Sequence, residues 1–147
     1  MSLKETLLKD LKTAMKEKDQ IAKNTITMVR AGVLQVEKDN KVTLDDEGVT
    51  EVVSKQLKQR KDSLAEFTKA GRDDLVEQTQ AEIDVLMRYM PEQLSEDELR
   101  DIVKAAVEET GAETMRDMGK VMQSVMPKVK GKADGKQVNQ IAREYLN

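Results

Sequence analysis

The chain has no cysteine and no histidine among its 147 residues. Without cysteine it can form no disulfide, no zinc–thiolate site and no cysteine nucleophile. Without histidine it lacks the usual general base and the most common transition-metal ligand. The sequence therefore excludes hydrolysis by serine–histidine or cysteine–histidine pairs. We expect no catalytic residue, no metal ion and no cofactor.

Aromatic residues make up 2% of the chain, which also has only two prolines and seven glycines. So few turn-forming residues argue against a β-sandwich or barrel, and so few aromatics argue against a platform that stacks RNA bases. No apolar run is long enough for a transmembrane helix, and the N-terminus has no apolar signal core. We expect a cytoplasmic protein without membrane contact.

Charged residues, at 36%, are abundant, and the net charge is −3. Methionine and the aliphatic residues must therefore build the core, a mixture typical of helical proteins with large charged surfaces. A net negative charge predicts no general affinity for polyanions, so any contact with nucleic acid must come from a local basic patch.

Helix-start signals recur along the chain, each followed by apolar residues at helical spacing. Gly71 and Gly111 are natural helix stops, Pro127 is predicted to end a helix that begins at Thr114, and no segment alternates as a strand does. The sequence predicts an all-α protein with an N-terminal bundle of about four helices and a C-terminal three-helix domain. The start signals are Ser2–Glu5, Asp19, Asp45, Ser95–Glu98, Thr114 and Asp134.

The helical pattern breaks between Tyr89 and Ser95. Pro91 disfavours helical backbone at the preceding Met90, and a new capping box follows at Ser95. We therefore predict two domains, an N-terminal one over 1–92 and a C-terminal one over 95–147.

A basic turn near the C-terminus is the strongest candidate binding site. Residues 118–147 carry six basic and two acidic residues, whereas 95–117 carry three basic and eight acidic ones. Glycines let a backbone approach a ligand closely, a helix N-terminus that follows favours an anion, and lysines add affinity for phosphate. The alternative is a solvated loop whose lysines aid solubility. The predicted phosphate- or RNA-binding residues are Lys128, Lys130, Gly131, Lys132, Gly135 and Lys136.

Two further clusters have structural as well as functional interpretations. Lys55, Lys58 and Lys61 share one side of a helix, and with Arg72 they form a secondary basic patch. A charged solvent face is the simpler interpretation, since nearby acids can neutralise it. Four methionines from Met115 to Met126 could line an adaptable peptide groove, but their helical spacing favours core packing.

Several motifs together resemble the GatB/YqeY family across essentially the whole chain. That family commonly has arginine where this chain has Lys132. Lysine keeps the positive charge but lacks the planar guanidinium group. The motifs are Lys58–Ser63, Ala70–Arg72, Tyr89–Ser95, Met118–Met122, Pro127-Lys128, Lys130–Lys136, Val138-Asn139, Ile141 and Tyr145-Leu146.

The resemblance implies a free-standing YqeY-like protein, similar to the C-terminal tail of the B subunit of glutamine-dependent aminoacyl-tRNA amidotransferases, where that tail helps to hold tRNA. It therefore implies a binding module for tRNA or other structured RNA, acting alone or with an aminoacylation or amidation enzyme. A carbon–nitrogen ligase activity with glutamine as amido donor would belong to domains this chain lacks. The alternative is a protein-interaction adaptor without RNA contact.

Overall fold

The computed structural model describes residues 1–146. Within them it has seven α-helices, one short 3₁₀ helix (Met115–Asp117) and no strand, so the prediction of an all-α fold is confirmed. The helices are α1 (Leu3–Lys16), α2 (Gln20–Asn40), α3 (Asp46–Lys69), α4 (Asp73–Met87), α5 (Glu96–Thr110), α6 (Met118–Val129) and α7 (Gly135–Tyr145).

The chain divides into two compact units, Met1–Met90 with α1 to α4 and a second unit from Pro91 onwards with α5 to α7. The predicted domains 1–92 and 95–147 stay predictions. No helix within residues 1–146 combines the length and the apolar character needed to cross a bilayer.

Side-chain caps begin the first three helices where the sequence predicts them. Ser2, Asp19 and Asp45 accept hydrogen bonds from the backbone N–H groups of Glu5, Ala22 and Gly48. Each cap satisfies one N–H group that the helix itself leaves unpaired. The buried faces then follow the predicted spacing, with the largest fully buried side chains being Leu7, Ile26, Val29, Val49, Val53 and Leu86.

The α2 and α3 helices approach each other closely at Gly32. A Cβ atom added to Gly32 would lie 2.7 Å from Nε2 of Gln56 and 3.0 Å from Cγ1 of Val52. The Gln56 amide crosses the same interface and donates to the carbonyl of Met28 at 3.0 Å. The absence of a side chain at residue 32 therefore sets the distance between these helices.

Polar contacts fasten the N-terminal helix to later parts of the first unit. The N–H of Leu3 donates to Oδ1 of Asp46 at 2.9 Å, and Lys4 forms an ion pair with Glu37. The buried Tyr89 donates its hydroxyl to Oδ2 of Asp10 at 2.6 Å. These contacts join α1 to the start of α3, the end of α2 and the end of α4.

The second unit is built from three helices around a valine-rich core. The predicted capping box between Ser95 and Glu98 is present at the start of α5, and Gly111 ends that helix with a φ of 68°. Arg100 bridges Glu96 of its own helix and Glu144 of α7. The fully buried valines of this core are Val103, Val121, Val125, Val129 and Val138.

The prediction for the helix around Pro127 is correct at its start and wrong at its end. Thr114 caps a short 3₁₀ helix, Met115–Asp117, which leads directly into the α-helix at Met118. At the other end, Pro127 lies inside α6, which continues to Val129. A proline removes one intrahelical hydrogen bond, but Val129 is fully buried, and burial of its side chain favours continuing the helix to this residue.

Candidate functional site

The predicted basic turn joins α6 to α7 and is anchored by the segment before α5. Gly131 has a φ of 76°, a left-handed conformation that glycine adopts without steric cost. Leu94 donates its N–H to the carbonyl of Lys132, and the amide of Gln93 donates to the carbonyl of Gly131, both at 2.9 Å. The turn is therefore a fixed part of the second unit.

The N-terminus of α7 carries its own acid. Oδ1 of Asp134 accepts the N–H of Lys136 at 3.0 Å, so a carboxylate already lies at the positive end of the helix dipole. Bound phosphate would be repelled by this charge. A Cβ added to Gly135 would meet only Cε of Met126 at 3.7 Å, so close approach does not require a glycine there. One N–H group at the start of α7 is therefore already bonded, which weakens the predicted preference of this helix N-terminus for an anion.

The lysines of the turn are exposed, and Lys128 has an acidic neighbour on α5. Lys128 lies within the last turn of α6, where Nζ is 3.6 Å from Oε2 of Glu109 on α5. Lys130, Lys132 and Lys136 are exposed on the turn and the start of α7. Phosphate binding by these residues stays a prediction, and the helix dipole no longer supports it.

The structure instead places Lys136 on a shallow, open polar surface of α7, which we call the α7 groove. Its other polar side chains are Asn139, Gln140 and Arg143, which sequence analysis did not single out. Arg143 has no ion pair or hydrogen bond from its guanidinium within residues 1–146. The positions 136, 139, 140 and 143 are spaced by three or four residues, so this shared face could have been found from the sequence.

The opposite face of α7 fixes the orientation of the groove. Val138, Ile141 and Ala142 are buried in the core of the second unit. Because the helix is apolar on one side and polar on the other, the four groove side chains must face away from this core. The groove combines two cations with two amides, which suits an anionic ligand that also offers hydrogen-bonding atoms.

The secondary basic patch stays a prediction, and within it Arg72 has an acidic neighbour. Lys55, Lys58 and Lys61 are exposed along α3. Arg72 lies past the end of that helix, where Nε and Nη2 contact the two carboxylate oxygens of Asp74 at 3.3 and 3.2 Å. The hydrogen bonds from Arg72, and to a smaller extent that from the N–H of Leu75, lower the pKa of Asp74 below its ordinary value. The charge of Arg72 is therefore already paired within its own turn.

Three of the four predicted methionines pack as core residues. Met118, Met122 and Met126 are partly buried against the core of the second unit, whereas Met115 is 43% exposed. This packing agrees with the core interpretation and leaves no methionine-lined groove there.

Carboxylates with lowered pKa values have structural partners that explain the shifts. Two backbone N–H groups, of Glu113 and Thr114, lower the pKa of Asp117, and Arg100 lowers that of Glu144. Such shifts mark caps and ion pairs as readily as active sites. Among residues 1–146 no group of three acidic, histidine or cysteine side chains could hold a metal ion.

Comparison with known proteins gives one family across nearly the whole chain. The family model described as Yqey-like protein matches residues 4–146. A relative from Pyrenophora tritici-repentis, named Altered inheritance of mitochondria protein 41, mitochondrial, is 38% identical over 93% of this chain and 77% of its own length. Proteins of the same name from Lachancea thermotolerans and Kluyveromyces lactis are 41% and 44% identical. These two alignments cover 57% and 56% of this chain, and the chain spans about half of each relative, 46% and 45%.

These comparisons correct two expectations. The relatives are named for the inheritance of mitochondria, and tRNA binding and amidation are absent from their names. The predicted function as a tRNA-binding module related to an amidotransferase tail is therefore wrong by this comparison. The relatives are also mitochondrial proteins by name, which contradicts the predicted cytoplasmic location.

Proposed function

The chain belongs to the Yqey-like protein family, and we propose that it shares with its fungal relatives a role in the inheritance of mitochondria, exercised by binding and not by catalysis. The observation that carries this proposal is the alignment with the Pyrenophora protein, which covers 93% of this chain and 77% of that relative. An alignment of this extent includes helices of both units, so the likeness is not confined to one motif.

The polar groove of α7 is the binding surface that the geometry favours. Lys136 and Arg143 lie about 10 Å apart along the helix, given a rise of 1.5 Å per residue, and the amides of Asn139 and Gln140 lie between them. Such a row selects an anionic ligand that also accepts and donates hydrogen bonds. The reacting groups that an enzyme would need, a nucleophile beside a base, are not part of this groove.

A replacement experiment in Saccharomyces cerevisiae tests the role. The yeast relative, 37% identical over 91 residues, would be removed and this chain supplied with a mitochondrial targeting segment. We expect daughter cells to recover their inheritance of respiring mitochondria, scored as the fraction of daughters that respire. If the chain reaches mitochondria as a folded protein and inheritance stays defective, the proposed role is rejected.

A groove variant separates the role from the surface. In this variant Lys136, Asn139, Gln140 and Arg143 become alanine, which is a good helix former and leaves the buried face of α7 unchanged. The matched control changes Lys55, Lys58 and Lys61 to alanine on exposed positions of α3. We expect the control to restore inheritance and the groove variant to fail. Equal restoration by both would refute the assignment to α7 while leaving the role in place.

The finer resemblance to the tail of an amidotransferase B subunit concerns ancestry. We infer that the three-helix unit α5 to α7 derives from the same ancestral unit as that tail, on the motifs of residues 118–146. The test is superposition of α5 to α7 on such a tail. Agreement of helix order and of the left-handed glycine at Gly131 would support common descent, and a different helix order would end the inference.

A further inference from the structure

A small apolar cavity of about 220 Å³ lies between α1 and α2 in the first unit. Its floor is made of Leu7 and Val33, which are almost fully buried. Two leucines at its sides remain open to solvent, Leu8 at 38% and Leu34 at 62% exposure. Leucines with this much exposure beside a cavity leave apolar surface that a partner could bury.

One end of the cavity has its charges and hydrogen bonds satisfied. Glu37 forms an ion pair with Lys4 and accepts the N–H of Leu44 at 2.7 Å. The hydrogen bond from Lys4, and to a smaller extent that from Leu44, lowers the pKa of Glu37 below its ordinary value. The Glu37 side chain is only 17% exposed, so this end offers little to an incoming ligand except the exposed Glu5.

The other end of the cavity carries an unpaired cation. Arg30 lines the cavity and is half-buried, and within residues 1–146 its guanidinium has no ion pair and no hydrogen bond. Arg30 precedes Glu37 by seven residues on α2, which separates them by about 10 Å along the helix. A half-buried guanidinium beside exposed leucines favours a carboxylate that arrives next to an apolar group.

The size of the cavity limits its occupant. Pockets that hold drug-sized molecules measure roughly 300–1,000 Å³, so 220 Å³ suits a single large apolar side chain. We propose that the cavity between α1 and α2 binds a protein segment that inserts one large apolar side chain between Leu8 and Leu34 and places an acidic residue against Arg30. This surface would act in addition to the α7 groove and does not depend on the proposed role.

Three helical peptides, built from alanine and glutamine and blocked at both ends, provide the probe. The first carries one Phe and a Glu four residues later, the second has Lys in place of Glu, and the third has Ala in place of Phe. Binding to the full chain is measured by changes in its amide NMR spectrum. We expect the first peptide to shift resonances at Leu8, Arg30 and Leu34, the second to bind about fivefold more weakly, and the third at least about tenfold more weakly.

Variants of the chain then assign the two contacts. Arg30→Gln should abolish the preference for Glu over Lys in the peptide, and the matched charge change Lys38→Gln, at an exposed position of the same helix, should leave it intact. Leu34→Glu should abolish binding, and its folded state can be confirmed from unchanged amide resonances of α3 and α4, which belong to the same unit as the cavity.

Three outcomes would overturn the proposal. The first is absence of binding at millimolar peptide, and the second is equal binding of the Glu and Lys peptides. The third is a self-association of the chain that Leu34→Glu abolishes, because the cavity would then hold a second copy instead of an acidic segment.

Discussion

Thr25 and Tyr89 place hydroxyl groups in the core of the first unit, with opposite outcomes. The Oγ1 atom of Thr25 is buried and finds no hydrogen-bond partner among residues 1–146. The hydroxyl of Tyr89 is bonded to Asp10. A buried polar atom without a partner lowers stability, whereas a bonded one contributes to it, so substitutions at the two residues should act in opposite directions.

Thr25→Val should stabilise the protein. Valine has nearly the same shape but no hydroxyl, so it removes the unsatisfied atom while keeping both branches of the side chain. We expect the free energy of unfolding to rise by about 1 kcal/mol, measured by urea denaturation. Thr25→Ser is the control, since it keeps the hydroxyl and loses the methyl group. A lower stability for Thr25→Val would mean that its hydroxyl finds a partner in solution.

Tyr89→Phe should destabilise the protein at neutral pH by about 1–3 kcal/mol, because the bond to a carboxylate is lost. Burial, followed by the hydrogen bond to Asp10, raises the pKa of Tyr89 above its ordinary value. A raised folded-state pKa gives stability that is present below the unfolded-state pKa of about 10 and is lost as the pH rises from there towards the folded-state pKa.

The difference between parent and Tyr89→Phe should therefore shrink as the pH rises above 10. Denaturation of both proteins between pH 8 and 11.5 measures this, and a difference that stays constant across the range would contradict a pKa of Tyr89 raised by burial and by the bond to Asp10. The phenylalanine variant is the reference for the parent, because both proteins keep Tyr145 and all lysines and differ only in the Tyr89 hydroxyl.

Helix ends are the elements that the sequence predicts best, since caps act through neighbouring residues. Asp19, Asp45 and Ser95 have the predicted capping roles, and Gly71 and Gly111 adopt left-handed backbone at the predicted stops. The end of α6 was mispredicted because burial of Val129 comes from contacts distant in sequence. The groove on α7 was missed for another reason. Its amides, Asn139 and Gln140, carry no charge, so the charge pattern of the turn does not mark them.

Pro127→Ala should stabilise α6. The ring of Pro127 removes one backbone donor from a helix that continues past it, and alanine restores both the donor and helix propensity. We expect the free energy of unfolding of the second unit to rise by about 1–3 kcal/mol. The increase should fall in the lower part of this range because the proline is close to the helix end. Thermal unfolding followed by circular dichroism provides the measurement. A loss of stability would instead show that the proline orients the turn to α7.

The whole molecule raises the question of where the second unit begins. Leu94 packs against the core of that unit, and Gln93 and Leu94 bond to the carbonyls of Gly131 and Lys132. The sequence could not show this, because a proline break marks a change of element and not which side the linking residues pack on. The predicted start at residue 95 omits these contacts.

A fragment of residues 91–147 should therefore unfold at a higher temperature than a fragment of 95–147. Leu94 is only half-buried, so its side chain contributes about 1 kcal/mol, less than the value for full burial, and each of the two hydrogen bonds adds about 0.5–1.5 kcal/mol. Such a difference is decisive in a unit this small. Calorimetry of both fragments gives the comparison, with Leu94→Ala in the longer fragment as a control. Equal stability of the two fragments would place residues 91–94 outside the cooperative unit.

The bond between Tyr89 and Asp10 also has a consequence during protein synthesis. The two residues are 79 positions apart, and at about 5–20 residues per second the ribosome adds Tyr89 about 4–16 s after Asp10. During this time α1 lacks its contact with Tyr89, and Leu8 and its neighbours are accessible to chaperones. We expect arrested nascent chains to keep α1 sensitive to protease until Tyr89 has left the ribosome, and to become resistant within a few residues after it.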